Sequence, residues 1–182
     1  LLLSDMVVRI CCCCSSLFTE TLGRSPLFAL REEQELSDFV ERRVFEPLGM
    51  VDTTLRGSPA HGVWSNVADL TVLARELLAP TLIAPATLAE ATTPQYPDLA
   101  GVVPGLGRFD PAPWGLGLEI KDAKSPHWTA PGNDPSAFGH FGGTGTFLWV
   151  DPTLDLAAVA ISGTDFGPWA LEVWPRASQA LI

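Results

Sequence analysis

The chain has 182 residues, a formal net charge of −10, 47% apolar residues and 18% charged residues. That length suits a single domain, one able to bury roughly 70% of its unfolded surface, and the composition excludes a disordered chain. The acidic balance excludes a basic, phosphate-reading face, so no nucleic-acid partner is expected, and it opposes docking on anionic lipid. The mean hydropathy of +0.22 is high for a soluble protein and suits a chain that expects more protein around it.

The opening LLLSDMVVRI lacks a basic leader and is interrupted by Asp5, which makes a poor signal peptide and leaves the compartment unassigned. No run approaches the roughly 18 apolar residues of a membrane span. All four cysteines are consecutive, Cys11 to Cys14. Neighbouring cysteines rarely meet disulfide geometry, and a zinc site would need a second set of ligands further along. No metal or other cofactor is expected. A buried apolar cluster and an aberrant reading frame both remain open for this run. Residues 1–35 therefore read as an atypical N-terminal segment, with regular patterning emerging from about Ser25.

Ser25 to Phe45 reads as a helix, capped by Ser25 and started by Pro26. Its apolar face is Leu36, Phe39, Val40 and Val44, and Pro47 with Gly49 ends it. A second helix follows, with Ser65 as N-cap, Val67, Leu70, Leu73, Ala74 and Leu77 as its apolar face, and Pro80 as its stop. A short third helix covers Pro85 to Thr92. Residues 93–113 hold five prolines and three glycines and read as loop. Strands follow at Trp114 to Ile120 (WGLGLEI), Thr146 to Val150 and Leu156 to Ile161. The last two are apolar on both faces, as central strands are, and Asp151, Pro152 and Asp155 mark the turn between them. A closing helix has Ala170, Val173, Trp174, Ala177 and Leu181 at helical spacing, with Pro175 kinking or restarting it. The order implies an α+β fold, an antiparallel sheet packed with helices.

Three stretches carry a family resemblance. VFEPLGMVDTTL (Val44 to Leu55) resembles the F-x-PLGM-x-DT segment of the serine β-lactamase and penicillin-binding-protein superfamily, above all the branch with class C β-lactamases, DD-peptidases and esterases. GVWSNVADLTVLARELL (Gly62 to Leu78) is similar to that branch's G-x-x-S-x-x-x-DL helix start. WGLGLEI followed by FGHFGGTGTFLWVDP (Phe138 to Pro152) resembles the strands bearing its third catalytic motif. The match runs over residues 36–182 and implies the C-terminal part of a β-lactamase/transpeptidase-like domain.

The resemblance implies acyl transfer through a covalent serine ester on a small-molecule substrate: a β-lactam, a D-Ala peptide or an ester. His140-Phe141-Gly142 fits the H-x-G form of the third motif. Gly143 would lend its backbone N–H to the oxyanion, and Phe141, Gly142 and His127 would border the substrate. His127-Trp128 reads equally well as a surface aromatic pair. The family's nucleophile motif, S-x-x-K, is missing. The only lysines are Lys121 and Lys124, and the residues three before them are Leu118 and Lys121. The tyrosine motif is missing too, since Tyr96 lies in the proline-rich loop and Leu3-Ser4-Asp5 offers only a faint substitute. Two readings follow: an incomplete serine hydrolase, inactive alone, or a degenerate, non-catalytic binding module. Either would expose apolar surface able to self-associate.

Overall fold

The computed structural model describes residues 8–10 and 34–182. The cysteine run, Leu3-Ser4-Asp5 and the proposed cap at Ser25-Pro26 lie outside the described residues. Strand β1 is Val8–Ile10. Helix α1 (34–40) passes through a π-helical turn, Glu41–Phe45, into α2, Glu46–Leu48. Pro47 does not end this helix. It sits in the first turn of α2, where a missing amide is tolerated, and Gly49 closes the helix in the left-handed region, at φ 69°. The wide turn adds a residue to the repeat, so the apolar face does not carry across it: Leu36 and Phe39 are exposed, and Phe45 is buried.

Strands β2 (Thr54–Leu55) and β3 (Val63–Ser65) pair antiparallel, with β1 on the other side of β3. Helix α3 spans Val67–Leu78, and its N-cap is Asn66, not Ser65. The Asn66 side chain accepts from Asp69 N at 2.8 Å. Ser65 is instead turned inward, hydroxyl to hydroxyl with Thr53 at 2.7 Å. Helix α4 is Pro85–Ala91. The stretch read as loop contains a hairpin, β4 (Gly101–Val103) with β5 (Gly107–Phe109), whose short strands leave no alternating apolar signal.

Among the described residues the main sheet has four antiparallel strands in the order β6 (Glu119–Ile120), β7 (Phe138–Gly142), β8 (Thr146–Asp151), β9 (Leu156–Ile161). WGLGLEI is strand only at its last two residues: Gly117, at φ 80°, turns the chain so that Trp114 bridges back to Glu119. Helix α5, Pro168–Gln179, continues through Pro175. Its buried positions are Ala170, Trp174 and Ser178, while Val173 is exposed. Ser178 earns its place inside by accepting from Trp149 Nε1 at 3.0 Å.

The sheet is covered on both faces. On one face, α5 and Trp128 pack on Phe141, Phe147 and Trp149, with the Trp174 ring 5.8 Å from Phe141 and 5.2 Å from Phe147. On the other, Leu77 and Leu78 of α3 cover Ile120, Phe138 and Val150. Strand β8 is thus central and buried on both sides, as its sequence predicts, whereas β9, expected to be central as well, is an edge among the described residues and only half-buried. The observed class is the expected α+β arrangement, an antiparallel sheet packed with helices.

Candidate active site

Side chains alternate along a strand. On β7 this puts Phe138 and His140 on the α3 face and Phe141 on the α5 face. The ladder with β6 ends at Gly139, paired with Glu119, so His140 to Gly142 lie beyond its last paired residue. Gly139 is required by packing: a Cβ there would lie 2.2 Å from Leu148 O and 2.8 Å from Trp149 Cα. Gly145 is required by conformation, at φ 74°, and by the Thr164 carbonyl. Two of the four glycines therefore serve the fold itself. The turn after β7 is held by Gly145 N to Gly142 O (3.0 Å) and Phe166 N to Gly143 O (2.9 Å). These bonds use carbonyls and leave the Gly143 amide out of the turn.

His140 is half-buried, with the Trp114 ring edge-on at 5.5 Å. Its Nδ1 donates to Phe141 O at 2.6 Å, so the neutral ring carries its proton on Nδ1 and presents Nε2 as the acceptor. Burial pulls this imidazole below its ordinary value, and the Phe141 carbonyl and the Glu119 charge only partly oppose that. His140, Gly142 and Thr146 line a cavity of about 300 Å³ whose other walls are apolar, including Leu70, Leu73 and Leu77 of α3. Thr146 Oγ1 is buried there and has no hydrogen-bond partner among the described residues.

His127 is not brought to that face. It neighbours Trp128, at 5.3 Å between rings, and Trp128 packs on Phe141 from the α5 side. The pair is buried, not a surface pair. Its anchor is Glu119, a residue that sequence reading did not single out. Glu119 Oε1 lies 3.3 Å from both Lys124 Nζ and His127 Nε2, and Oε2 accepts from Trp128 Nε1 at 2.6 Å. His127 Nδ1 accepts from Thr129 N and from Thr129 Oγ1, which fixes the Nε2–H tautomer. Burial alone would raise the Glu119 carboxyl, but His127, Lys124 and Trp128 together hold it below its ordinary value. Burial lowers both Lys124 and His127. The alternation that predicted a WGLGLEI strand could have flagged Glu119 as an acid among apolar neighbours. The residues that neutralise it come from the following loop and left no local signal.

The resembling segments Val44 to Leu55 and Gly62 to Leu78 meet in a clamp. Asp69 Oδ2 accepts from Asp52 N at 2.9 Å and from Thr53 Oγ1 at 2.7 Å, while Asn66 Nδ2 donates to Asp52 Oδ2 at 3.1 Å. Met50 is buried with Phe45 and Leu55 beneath it. These residue types hold α3 against the loop before β2, and α3 in turn forms the far wall of the His140 cavity.

Three comparisons bear on this geometry. A crystal structure of a β-lactamase from Mycobacterium bovis is 50% identical over 80% of this chain, with a TM-score of 0.78 and 54% of that chain covered. An unliganded simvastatin synthase from Aspergillus terreus (16% identity, TM-score 0.59, 80% of this chain and 48% of that one) shares the fold. So does a penicillin-binding-protein homologue from Caulobacter crescentus (17%, 0.59, 80% and 52%). The chain spans about half the length of these structures. No curated protein sequence matches it. The family profile described as Beta-lactamase matches residues 27–180, and with the His140 strand and the Asp69 clamp in place the chain belongs to the β-lactamase family.

Proposed function

We propose that this chain supplies one wall of a serine-hydrolase acyl-transfer site, acting on β-lactams, D-Ala peptides or esters. The observation that carries the reading is His140 on β7, beyond the last residue that pairs with β6, followed by a turn that leaves the Gly143 amide out of its hydrogen bonds. An amide so placed can donate to an oxyanion. His140, neutral and with Nε2 as acceptor, can take a hydrogen bond or a proton from a reacting group. Gly142 and the Phe141 backbone border the same edge. His127 acts only at a distance, by holding Glu119, whose charge is felt at His140.

The wall needs a nucleophile and base from sequence not contained here. Neither lysine serves: Lys124 is bound to Glu119, and Lys121 lies in the loop that faces α5. The second reading, a non-catalytic module, is favoured by the same lysine count. One set of measurements separates them. The chain alone, incubated with nitrocefin and a fluorescent penicillin, should neither turn over nor label. A chimera joining the N-terminal part of the M. bovis β-lactamase to residues 34–182 should hydrolyse nitrocefin or p-nitrophenyl acetate. In that chimera Gly143→Pro, which removes the amide at a residue outside the left-handed region, should lower kcat about 10²–10³-fold. Acylation of the chain alone would sink the missing-nucleophile reading. A folded but inert chimera, or one indifferent to Gly143→Pro and His140→Ala, would favour the non-catalytic module.

A further inference from the structure

Trp114 is held firmly although it is no part of the core. It is half-buried and, among the described residues, belongs to none of the apolar clusters. Yet its backbone is tied on two sides. Gln95 N donates to Trp114 O at 2.9 Å, and Trp114 bridges back to Glu119 across the turn at Gly117. The next residue, Gly115, donates to Leu118 O at 2.8 Å and lies so close to α4 that a Cβ there would sit 1.9 Å from Ala91 O. Leu116 N donates to the same Ala91 carbonyl at 2.8 Å.

What this fixed indole meets is His140. The two ring centres are 5.5 Å apart with their planes at 64°, a T-shaped contact of the kind that aromatic quadrupoles favour. The other ring near the imidazole among the described residues is that of Phe141, at 6.2 Å, and the Phe141 carbonyl accepts from Nδ1. The ladder with β6 stops at Gly139 and does not reach His140.

We propose that Trp114 is a positioning residue for His140: its indole holds the imidazole in the orientation that keeps Nδ1 on the Phe141 carbonyl, and shields one flank of the ring from water. With the proton fixed on Nδ1, Nε2 is the acceptor, and a ring that swings away loses that assignment. What the imidazole is used for rests on the acyl-transfer reading; the contact that positions it does not. Glu119 is the charged group felt at His140, and its carboxylate is held by Lys124, His127 and Trp128. Removing the indole therefore changes the ring contact and leaves the partners of that carboxylate in place.

The test is nitrogen NMR of the histidine rings in the full chain, followed through pH. The parent should show the Nδ1–H tautomer at His140. In Trp114→Ala the tautomers should mix and the ring should titrate nearer its ordinary value of 6.5, while His127 titrates as in the parent. Trp114→Phe should restore the parent behaviour. Trp114→Leu is the second variant should the alanine change misfold, and should mix the tautomers likewise. In the chimera with the M. bovis N-terminal part, Trp114→Ala should lower kcat about tenfold to a hundredfold with KM little changed. An unchanged tautomer and titration in a folded variant overturns the proposal. So does an equal shift at His127, which marks general loosening, or a rise in KM at constant kcat, which marks substrate contact. An inert chimera counts against the acyl-transfer reading, and the ring measurements then decide this proposal by themselves.

Discussion

His127 and His140 are both held below the ordinary imidazole value of 6.5 by burial, and each therefore binds fewer protons folded than unfolded just below that pH. Stability from this source is complete above 6.5 and declines as pH falls toward the folded values. Glu119 and Asp151 are held low as well, against the opposing effect of burial, Asp151 by Asn133, Asp134, Thr153 and Leu154. Their contributions are present above the ordinary carboxylate values and are lost only as pH falls further. Tm should therefore fall in two steps on acidification, and His127→Gln should shrink the upper one. A flat Tm from neutral pH down to 5 would contradict this. Glu119→Ala is a harsher change, leaving Lys124 buried without its carboxylate and Trp128 Nε1 without an acceptor. Breaking a buried pair of this kind costs about 3–5 kcal/mol, measurable by urea unfolding. At this scale the placement of His140 on β7 and of Gly143 in the turn after it could be read from the sequence because their neighbours are contiguous. Glu119 could not, because its meaning depends on Lys124, His127 and Trp128 folding back over it.

At the scale of elements, glycine and cap chemistry make the sharpest claims. Gly139→Ala pushes a Cβ into the backbone of β8, and neither strand can yield without disturbing its register. The expected loss is about 1–3 kcal/mol or more, with the β7 and β8 amides losing hydrogen-exchange protection. Asn66→Ala should cost about 1 kcal/mol through the lost cap, whereas Ser65→Ala should leave the cap of α3 intact. Asp69→Ala should cost more than either, because Asp52 N and Thr53 Oγ1 lose their shared acceptor. Chemical denaturation of the three variants would rank them. Helices α3 and α4 were legible because periodicity and prolines mark them locally. The cap was not, since Ser65 and Asn66 are equally good formers and only the pairing of β3 decides which one turns inward. On α5, Ser178 takes a core position that a hydropathy pattern assigns to apolar residues, because Trp149 Nε1 needs an acceptor there.

For the whole molecule, sequence composition and structure point the same way. The positive mean hydropathy is matched by large apolar side chains left at the surface: Phe39 is 55% exposed, Val51 84% and Val102 68%. The chain also spans about half the length of the structures it resembles. In those proteins additional polypeptide is present, so surface that is exposed in this chain need not be exposed in theirs. The fold class was readable because helices and central strands follow local pattern. Which surfaces another segment would cover is not a local property, and no periodicity encodes it. Phe39 and Leu36 precede the π turn and keep apolar surface exposed, with the Arg43 guanidinium 5.8 Å from the Phe39 ring centre. Hydrophobic area of this sort favours association at high protein concentration. Sedimentation velocity should show the average mass rising with concentration, and Phe39→Ser with Leu36→Ser should reduce the rise while leaving the far-UV circular dichroism unchanged. A parent chain that stays monomeric and unfolds cooperatively across the whole range would show that this surface is compatible with an independent fold.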